Sequence, residues 1–140
     1  MKHLLILILT CFAMSQSNAQ LRATAMTGDT AAINSTVSNI SAEVLESPMM
    51  VTIQAVLFKN SGTAAGKVEL QATVDGTNYF RVRGCAQTTV DTLVILNVAT
   101  TQSMVWTVPQ NKYVKYRIVT TGTGTMNVRT KGWILRRKYS

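Results

Sequence analysis

The chain is predicted to be all-β, an antiparallel β-sandwich or jelly roll of about eight strands, and three observations carry that prediction. Apolar and polar residues alternate at period two over most of the chain from Met49 onwards. Turn residues (Gly, Pro, Asn, Asp) recur between those runs at short intervals. One run and its turn spell a hairpin. Val68, Leu70, Ala72 and Val74 alternate with Lys67, Glu69, Gln71 and Thr73, and Asp75-Gly76-Thr77-Asn78 reverses the chain. The return strand is expected to direct Phe80 and Val82 inward and Tyr79, Arg81 and Arg83 outward.

Residues 1–19 read as a cleaved secretory signal. Lys2 and His3 precede the apolar run Leu4 to Met14, and Ser17-Asn18-Ala19 supplies small residues for cleavage before Gln20. A membrane span needs roughly 20 apolar residues, which this run does not reach, so no transmembrane span is expected in the mature chain. The alternatives are lipidation at Cys11 and an uncleaved anchor; Ile8-Leu9-Thr10 lacks the small residue that lipoprotein processing favours before the cysteine.

Residues 20–46 form an N-terminal segment, and residues 47–140 the sandwich core. Ile33, Val37, Ile40 and Val44 imitate a helical spacing, while the β-branched content favours strands. A mobile start to about Thr30 and one or two short strands are expected, with a short helix over Ser41–Glu46 as the alternative. Ser47-Pro48 breaks the chain. Met49 to Asn60 carries Val51, Ile53, Ala55 and Leu57 on one face and Met50, Val56 and Phe58 on the other, which suits an inner strand or one covered by another subunit.

After the loop Asn60–Gly66, the hairpin and a polar loop comes Thr88–Val98, again apolar on both faces. Ser103–Val108 places Met104, Trp106 and Val108 together, with Trp106 read as core. Pro109-Gln110-Asn111 turns the chain into Lys112–Thr121, where Val114, Tyr116 and Ile118 oppose Lys115, Arg117 and Val119. The last strand, Thr125–Lys138, sets Met126, Val128, Thr130 and Ile134 against Asn127, Arg129, Lys131, Trp133 and Leu135, and Gly132 marks a bulge or a close backbone approach.

Much chemistry is excluded by composition. The only histidine is His3, inside the signal, so the mature chain has no imidazole base, no Ser-His-Asp relay and no histidine metal ligand. Cys85 is then the only cysteine, which permits no internal disulfide and no thiolate zinc site. No phosphate-cradling glycine loop is present, since Gly122-Thr123-Gly124 lacks the lysine and helix of a P-loop. Glu69 lies beside Lys67 and Asp75 in a turn, neither in the apolar setting that raises a catalytic pKa. No catalytic residue, metal site or cofactor is implied.

What remains is charge. The chain carries 14 Lys and Arg against six acids, a formal +8, and no acid follows Asp91. Tyr79, Arg81 and Arg83, then Lys115 and Arg117, then Arg129, Lys131 and Trp133 each lie on an outward strand face. Such faces suit acidic glycans or other polyanions, and they equally suit a solvated exterior that blunts edge pairing. Trp133 is a ligand platform, a subunit contact, or a ring covered by a neighbouring loop.

The stretch Asp75-Gly76-Thr77-Asn78-Tyr79-Phe80, with V-E-L-Q-A-T-V before it and T-T-Q-S-M-V-W-T-V-P and K-Y-V-K-Y-R-I-V-T-T-G-T-G-T-M-N-V after it, resembles small β-sandwich modules of tailed-phage and prophage virion proteins. The ending also resembles discoidin-like, galactose-binding jelly rolls. The resemblance spans roughly Val51 to Leu135 and brings no catalytic or metal residues with it. A secretory signal departs from that pattern, because virion proteins assemble in the cytoplasm.

Two functions are expected. The first is a non-enzymatic structural or assembly protein, exported or virion-associated, that packs as a homo-oligomer or onto a larger surface. The alternative is a carbohydrate- or polyanion-binding module of a bacterial cell surface, acting through Tyr79, Arg81, Arg83, Lys115, Arg117, Arg129, Lys131 and Trp133.

Overall fold

The computed structural model describes residues 23–27, 30–33, 37–43, 50–87, 89–122 and 125–137. The signal with His3 and Cys11, the Ser47-Pro48 break and the end of the alternative helix at Ser41–Glu46 lie outside the described residues. The strands are β1 (Ala23–Ala25), β2 (Thr30–Ile33), β3 (Val37–Glu43), β4 (Met50–Ser61), β5 (Gly66–Thr73), β6 (Phe80–Arg81), β7 (Thr92–Ile95), β8 (Gln102–Val108), β9 (Lys115–Gly122) and β10 (Asn127–Arg137).

These ten strands fill eight lanes in two five-stranded sheets. In sheet A, β1 and β2 share one lane beside β10, followed by β4 and β8; in sheet B, β3 lies beside β9 and β5, and β6 and β7 share the last lane. Every pairing is antiparallel. Apart from β1 to β2, which stay in one lane of sheet A, and the β5–β7 hairpin lanes, each connection carries the chain from one sheet to the other, which is the jelly-roll path. The expected fold class is therefore the observed one. Ser41–Glu43, in the span with the helical alternative, is strand, laddered to Arg117, Tyr116 and Lys115 of β9.

Period-two alternation becomes the core. Val51, Ile53, Ala55 and Leu57 of β4, Val68, Leu70 and Ala72 of β5, and Met104, Trp106 and Val108 of β8 are all buried between the sheets. Tyr116 and Ile118 of β9 and Val128 and Ile134 of β10 complete it. β4 lies between β10 and β8, the inner position its two-sided apolar pattern suggested. Gly132 is the close approach and not a bulge. Its register to Ala55 is unbroken, and a Cβ there would stand 2.6 Å from Ile118 Cδ1 and 2.8 Å from Met26 Sδ.

Three residues expected inward are exposed instead: Val74 (61%), Phe80 (45%) and Val114 (47%). Val74 and Val114 stand at the end of the sandwich, past Thr73 where β5 stops, and Phe80 stands opposite Ala72 in the short edge strand β6, with no further strand beside it. Phe80 packs edge-on against Tyr113 at 5.4 Å, and Tyr113 packs edge-on against buried Tyr116 at 5.7 Å. The Thr88–Val98 run shortens to β7, with Leu93 and Ile95 turned to the core and Val94, Leu96 and Val98 outward.

The segment between β6 and β7 leaves sheet B and crosses to sheet A. Gln87 N–H donates to Val105 O at 3.1 Å and Thr107 N–H to Cys85 O at 2.6 Å, around a bridge between Ala86 and Trp106. This covers much of the outer edge of β8, which would otherwise offer unpaired amides to another strand. Asp91 holds the excursion in place. Its carboxylate accepts the Gly84 N–H at 2.9 Å and its backbone carbonyl accepts Trp106 Nε1–H at 3.1 Å.

Candidate ligand-binding faces

Seven of the eight residues singled out from the sequence divide between opposite sides of the sandwich, and the eighth, Arg83, lies on a loop. Arg129, Lys131 and Trp133 alternate with buried Val128, Thr130 and Ile134 on β10, so they stand on the outer face of sheet A. The antiparallel register places Phe58 of β4 beside Arg129, Val56 beside Lys131 and Gln54 beside Trp133. Lys131 Nζ lies 6.0 Å from the centre of the Phe58 ring, within range of a cation-π attraction. Phe58, Asn60, Arg129 and Lys131 line an open cleft of about 210 Å³. Trp133 is half-buried, and its other cross-strand neighbour is the small residue Ala25. The outer face of sheet A thus presents, in one row, an indole, an ammonium over a phenyl ring, and a guanidinium.

Tyr79, Arg81, Lys115 and Arg117 belong to the outer face of sheet B. Arg81 and Arg117 are both cross-strand partners of Gln71, one on each side. The Arg117 guanidinium carbon stands 3.9 Å from the centre of the Tyr79 ring, and Arg117 Nε donates to Gln71 Oε1 at 2.8 Å. Gln71 Nε2 donates in turn to Glu69 Oε1 at 2.8 Å, and Lys67 Nζ pairs with Glu69 Oε2 at 3.1 Å. Lys115 faces Thr73 in the next register position. Arg83 is exposed on the loop after β6, outside either ladder.

Glu69, Asp75 and Asp91 are committed to structure. Burial by itself would raise Glu69, but hydrogen bonds from Gln71 and Lys67 and the charges of Lys67 and Arg81 together hold it below the usual range. Asp75 is held far lower by the Thr73 hydroxyl, the Thr77 and Asn78 N–H groups and the Asn78 side chain. Asp91 is lowered chiefly by the Gly84 N–H. All three are ionised near neutrality, so none is a general acid. Burial, with the charge of Asp91, pushes the Cys85 thiol up, away from the reactive thiolate. Among the described residues no three His, Cys, Asp or Glu side chains gather as a metal site, and no helix is long and apolar enough to cross a membrane.

Phe58, Gln54, Asn60 and Gln71 were missed as site residues from the sequence. Phe58 was visible as the second apolar face of its strand, but the neighbourhood of β4 and β10 joins residues some seventy positions apart, and no local signal reports such a pairing.

No protein-family model matches the chain, and no curated protein matches it. Several solved structures are similar. One is the N-terminal endo-1,4-β-D-xylanase 10B of Clostridium thermocellum, with carbohydrate-binding and GH10 modules complexed with xylohexaose, at 14% identity and a TM-score of 0.49 over 88% of this chain and 26% of that one. This chain therefore spans about a quarter of that structure. A family 16 carbohydrate-binding module is similar at 12% identity and a TM-score of 0.39, over 81% of this chain and 84% of that one. A Bacillus endospore appendage protein, from disulfide-linked pili, is similar at 17% identity and a TM-score of 0.41, over 89% and 95%.

Proposed function

We propose that the chain is a non-catalytic binding module for acidic polysaccharide, exported to the cell surface or beyond, and that its ligand lies along the outer face of sheet A. The observation that carries this is the row Trp133, Lys131, Arg129 on β10 with Phe58 beside it on β4. Aromatic faces take the apolar faces of sugar rings, and a guanidinium and an ammonium in the same row pair with carboxylate or sulfate groups. A formal charge of +8 draws such a polymer from a distance. The charged and apolar start of the chain, ending in Ser17-Asn18-Ala19, supports export.

The test is affinity for polygalacturonate, with neutral xylan as the comparison. Arg129→Glu with Lys131→Glu lowers polygalacturonate affinity about tenfold or more at low salt, equivalent to ~1.4 kcal/mol. Trp133→Ala weakens binding at low and high salt alike. Unchanged affinity in the charge-reversed protein, with an unchanged melting temperature, overturns the reading.

One observation favours the assembly function as a second reading. Val90, Val94, Leu96 and Val98 are between 37% and 59% exposed, a band of apolar surface around β7. A homo-oligomer, of an exported or a virion-associated protein, would bury it.

A further inference from the structure

We infer that the outer face of sheet B carries a second anion site, built on Arg81 and Arg117, so that one molecule bridges two acidic polysaccharide chains. This rests on the proposal that sheet A binds one such chain. The two arginines flank Gln71 in register, which puts their Cα atoms about 10 Å apart across two strand spacings. Arg117 is pre-oriented. Its flat face is taken by the Tyr79 ring and its Nε by Gln71 Oε1, and the Nη edge is the part that neither contact uses. That edge is the one which grips a carboxylate or sulfate with two parallel hydrogen bonds.

Asp91 attracts Arg81, as does Glu69, whose charge is answered chiefly by Lys67. Glu69 is only 9% exposed, is hydrogen-bonded by Gln71 and is paired with Lys67. Arg117 takes one face of the Tyr79 ring, which halves the aromatic surface a base could stack on and leaves charge as the main attraction, so this face favours a carboxylate polymer over single-stranded nucleic acid. The sheets of a sandwich lie about 10 Å apart with the core between them, so a rigid polymer on one outer face does not reach the other. Two separate polymers are the natural occupants, and each added protein becomes a cross-link.

The experiment has two arms: calorimetric titration with a short oligogalacturonate, and light scattering of the protein mixed with polygalacturonate. The wild-type protein takes two oligomers per chain and cross-links the polymer. Arg81→Gln with Arg117→Gln takes one and forms only soluble complexes; Arg129→Gln with Lys131→Gln does the same. Arg81→Lys with Arg117→Lys keeps two sites with the second weakened, a result that a purely structural role for the arginines does not give. One site in the wild type, lost only in the sheet A variant, overturns the bridging inference and leaves the sheet A reading standing. One site lost only in the sheet B variant overturns the sheet A reading instead. A single-stranded DNA oligonucleotide that displaces the oligogalacturonate from the sheet B site at equal concentration overturns the assignment to polysaccharide.

Discussion

Asp75 shows how one side chain sets a turn and a pH dependence together. Its carboxylate accepts the Thr73 hydroxyl at 2.7 Å, the Thr77 and Asn78 N–H groups at 2.9 and 2.8 Å, and the Asn78 amide at 2.6 Å, while Gly76 takes φ 79°. These bonds favour the charged form, so its folded pKa lies below its unfolded value. The stability this adds is fully present above the ordinary carboxylate range and is lost as the pH falls below it toward the lowered folded value. Asp75→Asn therefore melts lower than wild type at pH 7, and thermal melts from pH 7 to pH 2 show the difference narrowing in acid. A second residue-scale test lies in the core, where the Thr120 and Thr130 hydroxyls, both fully buried, meet at 2.8 Å between the two sheets. Thr120→Val alone leaves Thr130 without that partner and costs ~1–3 kcal/mol in denaturant unfolding, whereas replacing both by Val costs much less. The Asp75 turn was legible because Asp, Gly and Asn act within four residues. The threonine pair was not, because it joins strands of different sheets.

At the scale of elements, alternation predicted the strands wherever a strand runs along the core between the two sheets. In β4, β8 and the middle of β5, β9 and β10, the inward residues are the expected ones. It failed at ends and interruptions. Val74 and Val114 continue the parity of their strands past the end of β5, Phe80 lies in the edge strand β6, and parity contains no information about where a sheet stops. The β6–β7 lane is broken by an excursion whose purpose, covering β8, is set by tertiary contact alone. Two glycines separate kinds of constraint. At Gly66, φ is 141° and a Cβ would run into the Thr121 carbonyl, a backbone atom on the paired strand β9. At Gly132 the obstacles are the ends of the Ile118 and Met26 side chains. Gly132→Ala is expected to cost ~1–3 kcal/mol as an overpacked core, and Gly66→Ala more, since backbone cannot step aside. Urea unfolding of the two variants gives the order.

For the whole molecule, charge and apolar surface oppose each other. A formal +8 keeps copies apart at low ionic strength, while the band of Val90, Val94, Leu96 and Val98 favours contact. Light scattering is expected to give a monomer at low salt and growth at high salt, where repulsion is screened, and Val94→Lys with Leu96→Lys stays monomeric in both. An assembly already present at low salt would place the second reading ahead of the first. The division of the basic residues between two outer faces was beyond the sequence, since strand parity says outward without saying which outside.

β10 has a further consequence, for the order in which the fold can be completed. It is the last described strand, yet it is interior, paired with β1 and β2 on one edge and β4 on the other. A chain delivered N-terminus first, from a ribosome or through a membrane pore, holds an empty lane in sheet A until Asn127–Arg137 is free. Such long-range closure is slow, on the millisecond-to-second scale typical of sandwiches. Sheet B holds no part of β10, so its strands can pair while that strand is still in transit, and sheet A is the one completed last.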